Sequence, residues 1–272
     1  MSRKGGTVLA TRKMNNNLEN TSDVVRREIL THYLLKHEHL LPLLGVFRHE
    51  ESFMVVTPFV SNRYSKHSFA HPNASSLHFM KNAALSGREN LPIVLVKILL
   101  GAVKGVAYMH GRDPEVIHGD IHPGNILVNE NEDAIVCDFG LTRIRHEVTR
   151  TNTGIREGGR LRYLAPELTS VPTDKFRTTT ASDIFSLGMT FFSLMTLEIP
   201  FTGHWEYDAV ARINRGERPC RPQTETYVSI TPTVEARLWT LVEGMWAQHL
   251  GERPTADDVS VSLRGEFNVL AL

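Results

Sequence analysis

Residues Ile117 to Val128 read IHGDIHPGNILV. Two His, an Asp and, five residues after it, an Asn stand around a Pro-Gly turn between apolar flanks. An Asp can accept or orient the proton of an attacking hydroxyl. An Asn carboxamide oxygen suits a hard cation such as Mg²⁺, which leans on phosphate oxygens for the rest of its shell. The run therefore reads as a loop that holds a metal and a phosphate, and the remainder of the chain decides what the phosphate is moved onto.

The bulk properties narrow the field. A chain of 272 residues with a 41% apolar share can fill the core of one large or two modest domains. Lys plus Arg total 30 and Asp plus Glu total 30, so the formal net charge is zero and no basic excess points to nucleic acid or an anionic membrane. Cys137 and Cys220 are too few for a disulfide framework, which fits a reducing compartment. The opening MSRKGGTVLATRKMNNNLEN is basic but lacks the apolar core of a signal peptide, so a cytoplasmic protein is expected. The longest nearly uncharged apolar run, Ile184 to Leu197, is shorter than the roughly 20 residues that span a bilayer and reads as a buried helix.

Period and punctuation predict a small first part and a larger, mostly helical remainder. Thr7 to Arg12 reads as a strand, and the cap residues Asn20-Thr21-Ser22-Asp23 introduce a helix from about Val24 to Leu35. Leu43 to Phe47 and Ser52 to Phe59 read as paired strands, and the polar run Ser61 to Ser76 as a surface loop. Leu91 to His110 has helical spacing throughout and ends before Gly111. Ile126 to Asn129 and Ala134 to Cys137 read as short strands around NENED, followed by a polar, mobile segment with Thr149, Thr151 and Thr153. Helices resume after Pro166, and no internal repeat appears. The fold class is α+β, with a first lobe over 1–60 and a second over 61–272.

By itself, His118-Gly119-Asp120-Ile121-His122-Pro123-Gly124-Asn125 resembles the catalytic loop of aminoglycoside and choline kinases as much as that of protein kinases. The downstream motifs separate the two. Asp138-Phe139-Gly140, Tyr163 to Glu167 (YLAPE), Ser182 to Gly188 (SDIFSLG) and Glu252 to Thr255 (ERPT) come in the order that protein kinases show. Over roughly Val24 to Phe267 the chain resembles the protein kinase family, its tyrosine-kinase-like branch most. The resemblance implies a two-lobed fold with a reduced N-terminal β lobe and a mainly helical C-terminal lobe.

It also implies roles. Asp120 would act as base towards the hydroxyl of a protein substrate, and Asn125 and Asp138 would hold Mg²⁺ under ATP. Thr57 would be the gatekeeper, with Pro58 offering its carbonyl and Val60 its N–H to adenine, between Ala10 above and Leu127 below. Arg12 would stand where a Lys pairs with the phosphates, with Glu28 as its helix partner. Asp183 would start its helix and hold the backbone of the catalytic loop, and Glu167 would pair with Arg253.

Four departures accompany the match. The stretch before Thr7, MSRKGG, is too short for the strands of a Gly-rich loop. Arg12 replaces the point charge of Lys with a broader fork, and Lys13 falls on the other face of the strand unless a bulge intervenes. Gly119 stands where Arg would clamp a phosphorylated segment, and His122 where Lys would be; an imidazole near its reference pKa of about 6.5 is mostly neutral at pH 7. Gly159-Arg160 takes the place of Gly-Thr. The expectation is an ATP-dependent protein kinase domain whose activity is in doubt. A pseudokinase acting as a binding or scaffold module, and less favourably a small-molecule kinase, are the alternatives.

Overall fold

Ser52–Pro58 (SFMVVTP), β-branched and apolar enough to lie between two partners, forms β3, the middle strand of a three-stranded antiparallel sheet ordered β1-β3-β2. The outer strands are β1, Leu9–Met14, and β2, Gly45–His49. β1 runs past its predicted end at Arg12 as far as Met14, and β2 starts two residues later than predicted. For β2 the cause is upstream: Leu40 bridges Val136 and the Leu41 N–H donates to the Val136 carbonyl at 2.8 Å, so the chain is committed elsewhere until it passes Pro42. The computed structural model describes residues 9–14, 29–49, 52–65, 74–138, 143–144, 160–170, 177–221, 228 and 230–270. Residues 29–34 are helical and form α1, the C-terminal half of the predicted helix; Glu28 lies outside the described residues.

The predicted surface loop at Ser61–Ser76 is corrected at both ends. Asn62, only 1% exposed, donates Nδ2–H to the Val128 carbonyl at 3.0 Å, and the buried Ser76 hydroxyl donates to the Pro123 carbonyl at 3.1 Å. These polar side chains are inside because each satisfies a backbone carbonyl next to the catalytic loop. Ser75 then caps an unanticipated helix, α2 (Ser76–Leu85), which buries Ser76, Phe79, Met80 and Ala83, an i, i+3, i+4, i+7 stripe.

Helix α3 (Leu91–His110) has the predicted bounds, and α5 (Thr180–Thr196) carries the buried run. By length and composition α3 could cross a membrane, but 67% of its most apolar window is buried inside the fold. It packs against α5, α2 and the last helix α8 (Ala256–Leu270), as a core helix does. Gly105 of α3 lets the 39–40 backbone lie close: a Cβ there would stand 3.0 Å from the His39 carbonyl and 3.1 Å from Leu40 Cδ2. Thr179, not Asp183, caps α5, in a capping box with Ser182, which leaves the Asp183 carboxylate available to the loop it faces. Short α4 (Pro166–Thr169), then α6 (Glu206–Asn214) and α7 (Pro232–Met245), complete the helical lobe.

Three short strand pieces frame the catalytic loop. β4 (Val116–Ile117) enters it, β5 (Ile126–Val128) leaves it, and β6 (Ala134–Val136) returns antiparallel to β5. Within the segment predicted to be mobile, Arg143–Ile144 forms β7 and pairs with β4; Thr149, Thr151 and Thr153 lie outside the described residues.

Candidate active site

The loop from His118 to Asn125 is held from beneath by α5. The Asp183 carboxylate, 1% exposed, accepts the N–H of His118 at 2.8 Å on Oδ2 and that of Gly119 at 2.9 Å on Oδ1. His110, the last residue of α3, donates Nε2–H to the same Oδ2 at 2.9 Å. Gly119 adopts φ +78, a left-handed conformation that an L side chain enters only with strain. The buried His118 ring accepts the Asp120 N–H on Nδ1 at 3.2 Å and donates Nε2–H to the Cys137 carbonyl at 3.1 Å, joining the loop to the strand that delivers Asp138.

Asn125 closes the loop onto Asp120. Its Nδ2 donates to the Asp120 carbonyl at 2.8 Å and to Oδ2 of the same residue at 3.2 Å, so its Oδ1 is the end left for a cation. The Cys137 N–H donates to the Asn125 carbonyl at 2.9 Å, which brings Asp138 next to this pair. Asp138 itself holds φ +66, a conformation Asp tolerates better than most residues and one that re-aims its side chain after β6. Phe139 and Gly140 lie outside the described residues.

The Asp120 carboxylate has a further neighbour that sequence reasoning missed. Arg160 donates Nη1–H to Asp120 Oδ2 at 3.0 Å. His122 is turned differently: Nδ1 accepts the Gly124 N–H at 3.0 Å, and Nε2 stays 3.9 Å from Asp120 Oδ2, beyond hydrogen-bond reach. Burial holds the His122 pKa below the usual imidazole range, with Asp120 and Asp138 pulling upward and Arg160 and His118 pushing down.

On the side expected to take adenine, Leu127 and Val60 are buried in one cluster with Leu41, Ala74, Ile135 and Cys137, and Thr57 is buried on β3. Pro58 ends β3, opposite Leu9. In the β1–β3 ladder Ala10 pairs with Thr57 and Arg12 with Val55, and pairing runs without a bulge from Leu9 to Met14. The predicted pair below the site is present and bidentate, with Arg253 Nη1 2.7 Å and Nη2 2.8 Å from the two Glu167 oxygens.

The model of the protein kinase domain matches residues 1–262 of the chain. The chain belongs to the protein kinase domain family. Among similar proteins, the proline-rich receptor-like protein kinase PERK12 of Arabidopsis thaliana is 32% identical over 161 residues, covering 59% of this chain and 20% of that protein. Receptor-interacting serine/threonine-protein kinase 3 of Rattus norvegicus is 29% identical over 245 residues, 87% of this chain and 47% of that protein. The putative serine/threonine-protein kinase/receptor R818 of Acanthamoeba polyphaga mimivirus is 26% identical over 238 residues, 88% of this chain and 12% of that protein. The kinase domain therefore spans less than half the length of these curated relatives. The likeness falls on Ser/Thr and receptor-like kinases, in keeping with the tyrosine-kinase-like branch that the motifs indicated.

Two more contacts besides that of Arg160 escaped the sequence: His110 under Asp183, and Asn62 beside Val128. For His110 the one available signal was a His at the end of a helix that leads into the loop. A buried Asn in a polar run carries no signal at all.

Proposed function

We propose that this kinase domain transfers the γ-phosphoryl group of ATP to a hydroxyl of a protein substrate, with Asp120 orienting that hydroxyl and taking its proton. The observation that carries the reading is the Asn125 amide, whose Nδ2 spans the Asp120 carbonyl and carboxylate and turns its oxygen to the other side. One side chain thus touches the base with its nitrogen and offers its oxygen to a metal. Asn125 Oδ1 and the Asp138 carboxylate make an oxygen donor set suited to Mg²⁺, which takes its remaining ligands from phosphates and water. Bound there, Mg²⁺ supplies positive charge to the donor phosphates.

The names of the relatives support Ser or Thr as the acceptor. Leu127, Val60 and Thr57, with Ala10 and Pro58, would take adenine, and Arg12 with Glu28 would meet the phosphates. A cytoplasmic setting belongs to the same proposal, since Cys137 and Cys220 form no disulfide and stay as thiols there. A second reading, a scaffold that binds nucleotide weakly, is favoured by Arg12: a guanidinium is broader than an ammonium and asks for a bidentate partner.

Thermal melting tests the nucleotide half. Mg-ATP at millimolar concentration is expected to raise the melting temperature, by a stabilisation of about 0.4 kcal/mol when ligand equals Kd and more above it. ATP without Mg²⁺ should give a smaller rise, and Asp138→Ala should abolish it. An undiminished rise in Asp138→Ala would remove Asp138 from the site.

A further inference from the structure

We propose that Arg160 is a positioning residue of this centre, fixing the Asp120 carboxylate so that one oxygen faces the acceptor hydroxyl and providing the cation beside the reacting oxygens. The inference rests on the proposed phosphotransferase function and adds to it a residue from outside the catalytic loop.

The contact is either a block on the base or a support for it, and the geometry decides. Arg160 Nη1 and Asn125 Nδ2 both donate to Oδ2, at 3.0 and 3.2 Å. Two donors converging on one oxygen leave Oδ1 to meet an incoming hydroxyl, so the carboxylate is oriented and not covered. Arg160 also keeps a partly open flank, its side chain 36% exposed, from which the remaining guanidinium N–H groups can reach anionic oxygens.

The guanidinium is presented by a built anchor. Arg160–Tyr163 is a single 3₁₀ turn, and the Leu161 N–H donates to Glu206 Oε1 at 2.9 Å. The buried Arg162 donates to the carbonyls of Pro200, Phe201 and His204 at 2.9, 3.0 and 2.6 Å. Tyr163 OH meets Ser193 Oγ at 3.1 Å. With the next three residues tied to α5, α6 and the turn between them, Arg160 springs from a rigid base.

The site also needs what Arg160 brings. In the transfer, the bond from acceptor oxygen to γ-phosphorus forms while the bond from γ-phosphorus to the bridging oxygen of ADP breaks, and the hydroxyl proton passes to Asp120. Negative charge is spread over the phosphoryl oxygens throughout. His122 Nε2 stays 3.9 Å from Asp120 Oδ2, and its Nδ1 is taken by the Gly124 N–H, so this ring makes no hydrogen bond to the carboxylate. Among the described residues, Arg160 is the cationic side chain in direct contact with Asp120.

The test is a kinetic comparison of the parent, Arg160→Ala and Arg160→Lys, using Mg-ATP and a Ser/Thr peptide mixture. Arg160→Ala should lower kcat by about 10²-fold, the scale for loss of one preorganised donor, with KM for ATP and the Mg-ATP melting shift unchanged. Arg160→Lys, which keeps the charge and loses the fork, should recover part of that loss. In an Asp120→Asn background, Arg160→Ala should cost little more, because the two residues act as a unit. A kcat in Arg160→Ala equal to or above that of the parent overturns the proposal alone and makes the contact a block. Equal losses in the Ala and Lys variants, with the Mg-ATP shift also gone, overturn it in favour of a structural role. A parent that binds Mg-ATP and transfers nothing refutes the phosphotransferase reading itself.

Discussion

Asp183→Ala is expected to destabilise the kinase domain by about 2 to 6 kcal/mol. It orphans two backbone donors, the buried N–H of His118 and the half-buried N–H of Gly119, each worth about 1–3 kcal/mol when left without an acceptor. Equilibrium urea unfolding reads the loss as a lower midpoint. The same change should reduce phosphoryl transfer by about 10²-fold in protein that is still folded, because Gly119 precedes Asp120 and misplacement by about 1 Å carries a penalty of that order. Asp183→Asn should fall between the two: its carbonyl oxygen serves one N–H and its NH₂ faces the other. An Asp183→Ala midpoint equal to that of the parent would mean that the loop is held by something other than α5.

The second large effect is at Arg253, whose side chain is fully buried while that of Glu167 is 23% exposed. Besides the bidentate pair, the guanidinium donates to the carbonyls of Ala247 and Ala181, each at 2.9 Å, and lies 5.0 Å from the centre of the Phe185 ring. Arg253→Ala therefore strands a carboxylate and three carbonyls, that of Gln248 at 3.3 Å included, and opens a cavity against α5, for an expected loss of about 3–5 kcal/mol. Arg253→Lys should lose nearly as much, since an ammonium cannot make the fork. Glu167→Gln should lose less, because water reaches that side chain and an amide oxygen still accepts. A thermal melt in which Arg253→Ala matches the parent would count against this pair as the tie between α4 and the C-terminal helices.

These two sites show which parts of the structure could be read in the chain. Asp183, Glu167 and Arg253 are legible because they sit in motifs whose order fixes the fold, and buried charges have few ways of being satisfied. Leu91–His110 is legible because its apolar period runs over twenty residues and stops at Gly111. α2 escaped because Ser, Asn and His before it read as a loop, although Phe79, Met80 and Ala83 already stood at helical spacing. Arg160 escaped for a different reason. Its partner lies 40 residues earlier, and only the folded path, with Arg162 pinned to three carbonyls, brings the guanidinium back to Asp120. Local pattern carries no record of such a return.

The most direct test of the central claim is phosphoryl transfer itself, followed with ATP labelled on the γ-phosphate, saturating Mg²⁺, and an array of Ser, Thr and Tyr peptides. The parent should label a subset of peptides, and Asp120→Asn should slow that labelling by about 10²- to 10⁴-fold, the range for a positioned acid–base group. The variant should keep the Mg-ATP melting shift, since Asn125 and Asp138 are intact. Labelling at the same rate by parent and Asp120→Asn, or no labelling by a parent that binds Mg-ATP, would contradict the assignment of this loop as a phosphotransfer centre.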